Sequence, residues 1–304
     1  MPDSFRSGYV SILGRPNAGK STLLNALLGG KLAIVSEKPQ TTRTSIEGVL
    51  HLPDAQIIFL DTPGIHASDT LINKRMMDTV RASLADRDLL LFLADAVAPF
   101  TPEDAKAVDA LGRSQAPTFL VLTKIDRLQD KRQLLPRIEQ YKALREFDEY
   151  LPISALTGQG LDGLRSAIIA RMPEGPEYFP TDHLTDQPER FLAAELIREQ
   201  ILRNTRQEVP HAVAVAIDQW EDKPAITSIM ATIFVERAGQ KAIVIGAKGA
   251  NLKKIGTLAR HEIETLLARK VFLQLFVKVE SNWRENPEFL NSIDWRSMRG
   301  TESE

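Results

Sequence analysis

The chain has 304 residues, 43% of them hydrophobic, with 38 Lys and Arg against 40 Asp and Glu. That length favours two domains over one, and the apolar content is ample for two cores. The absence of cysteine excludes a disulfide framework, a thiol nucleophile and a thiolate metal site, and it suits a reducing cytoplasm. The five histidines are scattered, with no pair at ligand spacing on a helix, and a net charge of −2 says nothing by itself about nucleic acid. The N-terminus has no basic segment leading into a long apolar run, and the strongest apolar stretch, Leu89 to Ala98, is broken by Asp95. Neither a signal peptide nor a membrane span is expected.

The first predicted strand, Tyr9 to Leu13, runs into GRPNAGKS at Gly14 to Ser21, and a helical pattern follows from Thr22 to Leu28. Gly14 and Gly19 let backbone N–H groups face phosphate oxygens with no Cβ in the way. Lys20 would set its ammonium between the terminal phosphates and Ser21 its hydroxyl on Mg²⁺, with the helix N-terminus directed at the anion. Further on, Ile46 to Leu52 and Ala55 to Leu60 read as a hairpin turned at Pro53-Asp54, the one antiparallel edge of the sheet. Asp61 follows at the C-terminal end of that second strand, where ligands collect in open α/β sheets, and would hold Mg²⁺ through a water. The DTPG turn, Asp61, Thr62, Pro63 and Gly64, can sense the γ-phosphate through the Gly64 N–H. Between the first helix and the hairpin, Thr42, with Thr41 in reserve, would close over the γ-phosphate and offer its hydroxyl to Mg²⁺.

Strand-like runs then alternate with helical patterns, as a mostly parallel sheet demands: Asp88 to Asp95, Pro117 to Leu122 and Tyr150 to Ser154. Thr101-Pro102-Glu103-Asp104 reads as a helix start. Thr123, Lys124, Ile125 and Asp126 (TKID) end the second of these runs. Asp126 can accept two hydrogen bonds from the guanine ring N–H and exocyclic amine, whereas adenine offers no such pair of donors and would leave the carboxylate unpaired. Lys124 would lay its stem over the base, and the backbone N–H groups of Ser154 and Ala155 would complete the pocket. A guanine nucleotide is therefore the expected ligand, GTP or GDP with Mg²⁺.

The ordered set GRPNAGKS, PQTTR (Pro39 to Arg43), DTPG, TKID and SAL resembles the translation-factor-related class of small GTPases. The nucleotide-contacting set is then Gly14, Arg15, Pro16, Asn17, Ala18, Gly19, Lys20, Ser21 and Thr22, with Asp61 to Gly64, Ile65, Thr123 to Asp126, Ser154 and Ala155. Thr123 stands where many members carry an asparagine that braces the loop, work that a hydroxyl can partly do. Ile65 stands where Ras-like GTPases keep the glutamine that positions the attacking water, so intrinsic hydrolysis should be slow. Related GTPases with asparagine at the position of Asn17 use it to help hold a monovalent cation, which makes K⁺ a candidate cofactor. Lys20, Thr42 and Asn17 form the expected catalytic group.

The first domain, an α/β P-loop GTPase fold with helices on both faces of the sheet, is assigned to residues 1–174. A proline-rich linker follows at 175–190. The remainder reads as a small α+β domain at 191–285, with an amphipathic helix at Phe191 to Asn204, strands at Ala212 to Asp218, Ala225 to Val235 and Val271 to Val279, and a tail at 286–304. Within it, Ile243 to Gly249 (IVIGAKG) precedes a helix with apolar residues at Leu252, Ile255, Ala259, Ile263, Leu266 and Leu267. VIG-x-x-G at such a junction resembles a KH domain: Gly246 and Gly249 admit a nucleic-acid backbone, Lys248 can meet a phosphate, and the adjacent cleft can take single-stranded bases. On periodicity alone the residues before Gly246 could be strand or helix; the resemblance makes them a short helix. Arg237 to Arg284 carries ten Lys or Arg against three Asp or Glu, a basic footprint of the kind phosphates attract.

A P-loop GTPase domain joined to one C-terminal KH domain resembles the Era family over nearly the whole chain. That resemblance implies binding of the single-stranded 3′ end of small-subunit ribosomal RNA during small-subunit assembly, by a cytoplasmic monomer, with contact to a membrane surface left open. Gly246, Ala247, Lys248, Gly249, Lys253 and Lys254 are the expected RNA-contacting residues. The Phe272–Phe276 strand either reads bases or packs in the core. Two further readings remain: the C-terminal domain docks a protein, or it serves RNA modification.

Overall fold

Six runs marked as apolar in the sequence form one sheet: β1 (Arg6–Gly14), β2 (Ile46–His51), β3 (Ala55–Asp61), β4 (Leu89–Asp95), β5 (Thr118–Thr123) and β6 (Glu149–Pro152). The computed structural model describes residues 5–38, 40–65, 70–112, 114–206 and 209–294. Pro39 of the PQTTR segment and residues 295–304 of the expected tail lie outside these. The strand order is β2-β3-β1-β4-β5-β6, parallel except for the β2–β3 hairpin. Central strands β4 and β5 are buried on both faces, which is why they read as unbroken apolar runs rather than alternating ones.

Five helices pack on this sheet: α1 (Lys20–Leu28), α2 (Leu71–Ala82), α3 (Pro102–Asp109), α4 (Leu134–Lys142) and α5 (Leu161–Arg171). Val80 of α2, Ala107 and Val108 of α3 and Tyr141 of α4 share a core with Leu13, Leu90, Phe92, Leu120 and Leu122 from the strands. α1 covers β2 so closely that a Cβ on Gly48 would lie 2.7 Å from a Leu28 methyl. The Thr101 start is a complete capping box, with Pro102 in the first turn and Asp104 returning to the Thr101 backbone. Sheet order changes direction at β1, flanked by β3 and β4, so the loop leaving β1 opens at the sheet's switch point.

Contacts divide the chain into two compact units, mainly at Asp186 and Gln187. The second holds α6 (Glu189–Asn204), β7 (Ala214–Lys223), β8 (Ile226–Val235), α7 (Ala238–Ile245), α8 (Ala250–Leu267), β9 (Val271–Val279) and α9 (Pro287–Ser292). Its sheet runs β7-β8-β9, antiparallel then parallel. β7 extends five residues beyond the expected Asp218, past a bulge between Ile217 and Gln219 that restores its pairing with β8.

Two expectations need correction. α6 is not amphipathic: Arg198, Glu199 and Gln200 are buried along with its apolar residues. Arg198 makes a two-pronged pair with Glu195, and Glu199 accepts from Arg203 at 2.9 Å, so charges that look like a solvated face are neutralised inside. The expected tail begins with a helix. α9 seats Phe289 edge-on against Phe234, 4.9 Å between centroids, beside the fully buried Trp283.

The second correction concerns the linker, which as far as Asp186 is laid along the first unit. Gly175 donates to Phe5 O, Val49 on the edge strand β2 donates to Leu184 O at 2.9 Å, and Thr185 Oγ1 donates to Glu47 O. Gln56, with no exposure, accepts from Tyr178 N and Phe179 N and donates to Phe179 O at 2.7 Å. Prolines and absent periodicity mark an irregular strap as readily as a free linker; here the strap covers an exposed sheet edge. Replacing Gln56 by Ala leaves the Tyr178 and Phe179 backbone without those partners. Amide exchange at both positions should accelerate about tenfold or more, read by hydrogen–deuterium exchange, while β4 amides stay protected.

Candidate nucleotide and nucleic-acid sites

The loop leaving β1 is shaped by backbone that only small side chains allow. Gly14 has φ +140°, and a Cβ there would stand 2.4 Å from Leu93 O. Asn17 (φ +63°) and Gly19 (φ +92°) are also left-handed, and Ala18 N donates to Arg15 O. Buried Lys20 reaches back across the loop, its Nζ donating to Gly14 O at 3.2 Å and Arg15 O at 2.9 Å. Pro16 rests on the DTPG turn so tightly that a Cβ on Gly64 would fall 2.7 Å from its ring. Thr62 Oγ1 donates to Ile12 O, Pro63 is buried, and Ile65 N donates to Gly14 O while its side chain enters the core beside Leu13 and Val80.

Beneath the loop three oxygens converge. Ser21 Oγ donates to Asp61 Oδ2 at 2.6 Å, Thr42 Oγ1 lies 2.9 Å from Ser21 Oγ, and Thr42 Oγ1 is 3.3 Å from Asp61 Oδ2. Thr42 is the threonine that closes this triangle; Thr22 sits one residue further along α1, half-buried. Asp61 Oδ1 is buried with no hydrogen-bond partner. Two hydroxyls and one carboxylate with a spare oxygen form a hard donor set. It suits Mg²⁺, which keeps waters and takes phosphate oxygens rather than needing an all-protein cage. Among the described residues no group of three or more His, Asp or Glu side chains could by itself hold a metal ion.

Burial dominates the electrostatics of this pair. It pushes the Asp61 carboxyl up to about 6, against the pull of Lys20 and the two hydroxyls, and lowers the Lys20 ammonium to about 8, against the pull of Asp61.

The TKID residues hold the loop from its other side. Thr123 Oγ1 donates to Ala18 O at 2.7 Å and Ala94 O at 3.2 Å, the bracing expected of a hydroxyl in that place. Lys124, at φ +61°, sends its Nζ to Asn17 O and to Asp95 Oδ2, both at 2.7 Å. Ile125 is buried and donates its N–H to Ile153 O, and Asp126 stands exposed in the turn 125–127. Asp95 joins the site although the sequence motifs do not include it; its one signal is a charge at the end of an apolar strand. Its carboxylate also accepts from Val97 N and Ala98 N, and these bonds with Lys124 hold it below the usual carboxylate range despite the opposing effect of burial, the largest single influence.

One expectation fails here. The Ser154 N–H is already donated to Gln159 O at 2.8 Å, and Ser154 Oγ accepts from Thr157 N, so this residue closes its own turn. Of the two amides expected to face the base, only that of half-buried Ala155 is left for the task.

In the second unit the GAKG loop joins α7 to α8. Gly246 has φ +71°, and a Cβ there would meet the Asn251 side chain at 2.7 Å; Asn251 Nδ2 in turn donates to Ile243 O and Val244 O at the end of α7. Gly249 has φ +77° with nothing within 4 Å of where its Cβ would be. Ala247, Lys248, Lys253 and Lys254 are exposed on the same loop and on the first turn of α8, which turns Ile255, Ala259 and Ile263 inward. On β9, Phe272 is 54% and Phe276 40% exposed, which rules out core packing for both rings.

Residues 9–124 match the family of 50S ribosome-binding GTPases, and residues 208–284 match the KH domain. GTPase Era of Geobacter metallireducens is 50% identical, the alignment covering 96% of this chain and 98% of the relative; that of Syntrophus aciditrophicus is 47% identical over 96% and 95%. The chain belongs to the Era family. A crystal structure of Era in complex with MgGDPNP and nucleotides 1506–1542 of 16S ribosomal RNA superimposes with a TM-score of 0.93 at 41% identity, covering 96% of this chain and 99% of that one. A variant of Aquifex aeolicus Era bound to GDP·AlF4⁻ gives 0.92, also at 41% identity and with the same coverage. This Era-family chain is thus a GTPase domain followed by a KH domain.

The buried carboxylate sets a pH signature. Asp61 rises from 3.8 to about 6 on folding, so between those values the folded protein holds a proton that the unfolded chain releases. Ionisation is then a folding cost, absent below pH 3.8 and complete above about 6. Asp61→Asn should therefore stabilise the nucleotide-free protein at pH 8 by up to about 3 kcal/mol, with the gain vanishing toward pH 4. Chemical denaturation of both proteins across that range measures it. Mg²⁺ and GDP together should raise the melting temperature of the wild type far more than that of the variant.

Proposed function

We propose that this chain is a guanine-nucleotide switch that hydrolyses GTP and binds the single-stranded 3′ end of small-subunit ribosomal RNA during assembly of the small ribosomal subunit. The reading is carried by one observation: the Ser21–Thr42–Asp61 triangle and the open GAKG loop occur in one chain. The relative solved with MgGDPNP and 16S ribosomal RNA supports it, since the alignment spans both domains.

In this reading the loop from Gly14 to Thr22 wraps the phosphates, and Lys20 neutralises the terminal ones. Ser21 and Thr42 would hold Mg²⁺ directly and Asp61 through a water; the metal, once bound, supplies positive charge between the β- and γ-phosphates. Gly64 reports on the γ-phosphate, Asp126 selects guanine, and Lys124 with Ala155 lines the base. Intrinsic hydrolysis is slow, because the side chain at position 65 is apolar and turned into the core, where it cannot position water. Asn17, exposed at the loop's crest, would help to hold K⁺ where other GTPases use an arginine finger. The protein would act as a cytoplasmic monomer; among the described residues no helix is long and apolar enough to cross a membrane.

Two measurements test these assignments. Initial rates of GTP hydrolysis in KCl should exceed those in NaCl at matched ionic strength, and equal rates remove K⁺ from the reading. Filter binding of a single-stranded rRNA 3′-end fragment should be tighter with a non-hydrolysable GTP analogue than with GDP. Gly249→Asp, whose side chain would enter open space at a left-handed φ that aspartate tolerates at modest cost, should weaken that binding about tenfold or more by placing a negative charge where phosphate must approach. Binding that ignores both the nucleotide and the substitution would favour the protein-docking alternative.

A further inference from the structure

Arg15, the second residue of the phosphate loop, turns its side chain away from the site. Its NH1 donates to Asp104 Oδ2 at 2.6 Å and to Thr101 Oγ1 at 3.0 Å, at the start of α3. In an ordinary capping box the third helical residue serves only its own N-cap. Asp104 does that, accepting from Thr101 N at 2.9 Å and from Thr101 Oγ1 at 3.0 Å, but its carboxylate also joins two other elements. Oδ2 takes the Arg15 guanidinium, and Oδ1 accepts the Tyr141 hydroxyl from α4 at 2.8 Å. Asp104 is 6% and Tyr141 1% exposed, so neither side chain has water as a substitute partner.

We propose that Asp104 is a positioning residue for nucleotide binding, acting on the phosphate loop through Arg15, with Tyr141 fixing the carboxylate. The assignment rests on the nucleotide reading above. Its path is short, because the carbonyl of the same Arg15 accepts from Lys20 Nζ at 2.9 Å. A shift of Arg15 therefore moves the acceptor that holds the loop's ammonium. A charge-assisted pair with a carboxylate already held by three other donors has a narrow choice of geometries, which is what a positioning contact needs. Tyr141 is itself locked, packed edge-on against Phe100 at 5.2 Å and Phe92 at 6.1 Å. Burial, then the Asp104 carboxylate, push its phenol far above the ordinary range, so it remains a donor wherever the protein is folded. Arg15 is held back from the phosphates by this arrangement, leaving Lys20 as the loop's cation.

The test uses the full chain and a fluorescent N-methylanthraniloyl GDP, with dissociation followed by stopped flow and melting temperature recorded in parallel. Asp104→Asn keeps the shape and removes the charge; Arg15→Gln removes the other partner. Each should speed dissociation about tenfold, the size expected for one charge-assisted hydrogen bond, and the double variant should be no faster than either single one. Tyr141→Phe should give a smaller increase in the same direction. Pro102→Ala, which weakens the start of α3 without touching the network, should lower the melting temperature and leave dissociation unchanged. An unchanged rate in folded Asp104→Asn, or additive effects in the double variant, overturns the proposal. If Asp104→Asn does not fold, non-additivity between Arg15→Gln and Tyr141→Phe decides the question in the same way. Failure of the wild type to bind the fluorescent GDP would instead sink the nucleotide reading itself.

Discussion

A buried carboxylate and a buried ammonium within electrostatic reach of each other are the constraint on which the N-terminal unit turns. Asp61 has no exposure and Lys20 6%, and burial works against the charged form of each. Hydrophobic residues in these places would serve the fold better, since two desolvated charges repay their cost only with good geometry and further hydrogen bonds. The structure supplies some of those bonds from Ser21, Thr42 and the loop carbonyls, yet it leaves Asp61 Oδ1 without a partner. A polyanion with a divalent cation supplies what is missing to both groups at once. The destabilising choice of residues is thus intelligible only as part of a binding site.

The loop above this pair keeps its shape because other elements grip it at successive residues. Ile65 N donates to Gly14 O, the Arg15 guanidinium reaches α3, Lys124 Nζ donates to Asn17 O, and Thr123 Oγ1 donates to Ala18 O. Three of these grips end on backbone carbonyls. Lys20 Nζ holds a further carbonyl, that of Arg15, so the loop's shape is set largely by donors on its carbonyl groups. The β4–α3 connection contributes twice, through Asp95 on Lys124 and Asp104 on Arg15. The base-reading motif and the phosphate loop are therefore referred to one segment of chain.

Much of this was legible in the sequence where a short motif carries its own geometry. The loop, DTPG, TKID and the Thr101 helix start depend on residues within a few positions of one another, and the apolar strands between them follow from burial on both faces. The parts that could not be read depend on partners far along the chain. Asp104 looks like a helix cap, and nothing local shows that Arg15 and Tyr141 share its oxygens. Ser154 looks like an amide donor to a base until Gln159 folds back to take its N–H. α6 shows charges at positions that suggest a wet face, and only pairing with Glu195 and Arg203 accounts for their burial. In the strap, the information lies in Gln56, one polar residue within an apolar strand more than a hundred positions away from the backbone it satisfies.

The glycines of the phosphate loop, the DTPG turn and the GAKG loop differ in what excludes a side chain, and the difference bears on what each segment meets. At Gly14 and Gly64 the obstacle is the protein itself, Leu93 O in one case and Pro16 in the other, so these glycines would be required for packing even if nothing bound. At Gly246 the obstacle is again internal, the Asn251 side chain that caps the end of α7. At Gly249 there is none: the space where a Cβ would stand is open, and an asparagine could adopt its φ of +77° at modest cost. The protein's own packing thus gives three of these glycines a reason, whereas at the fourth only the left-handed φ favours glycine and the space beside it is open. A backbone surface kept bare next to an exposed lysine, and facing nothing in its own fold, is accounted for when another backbone must come close to it.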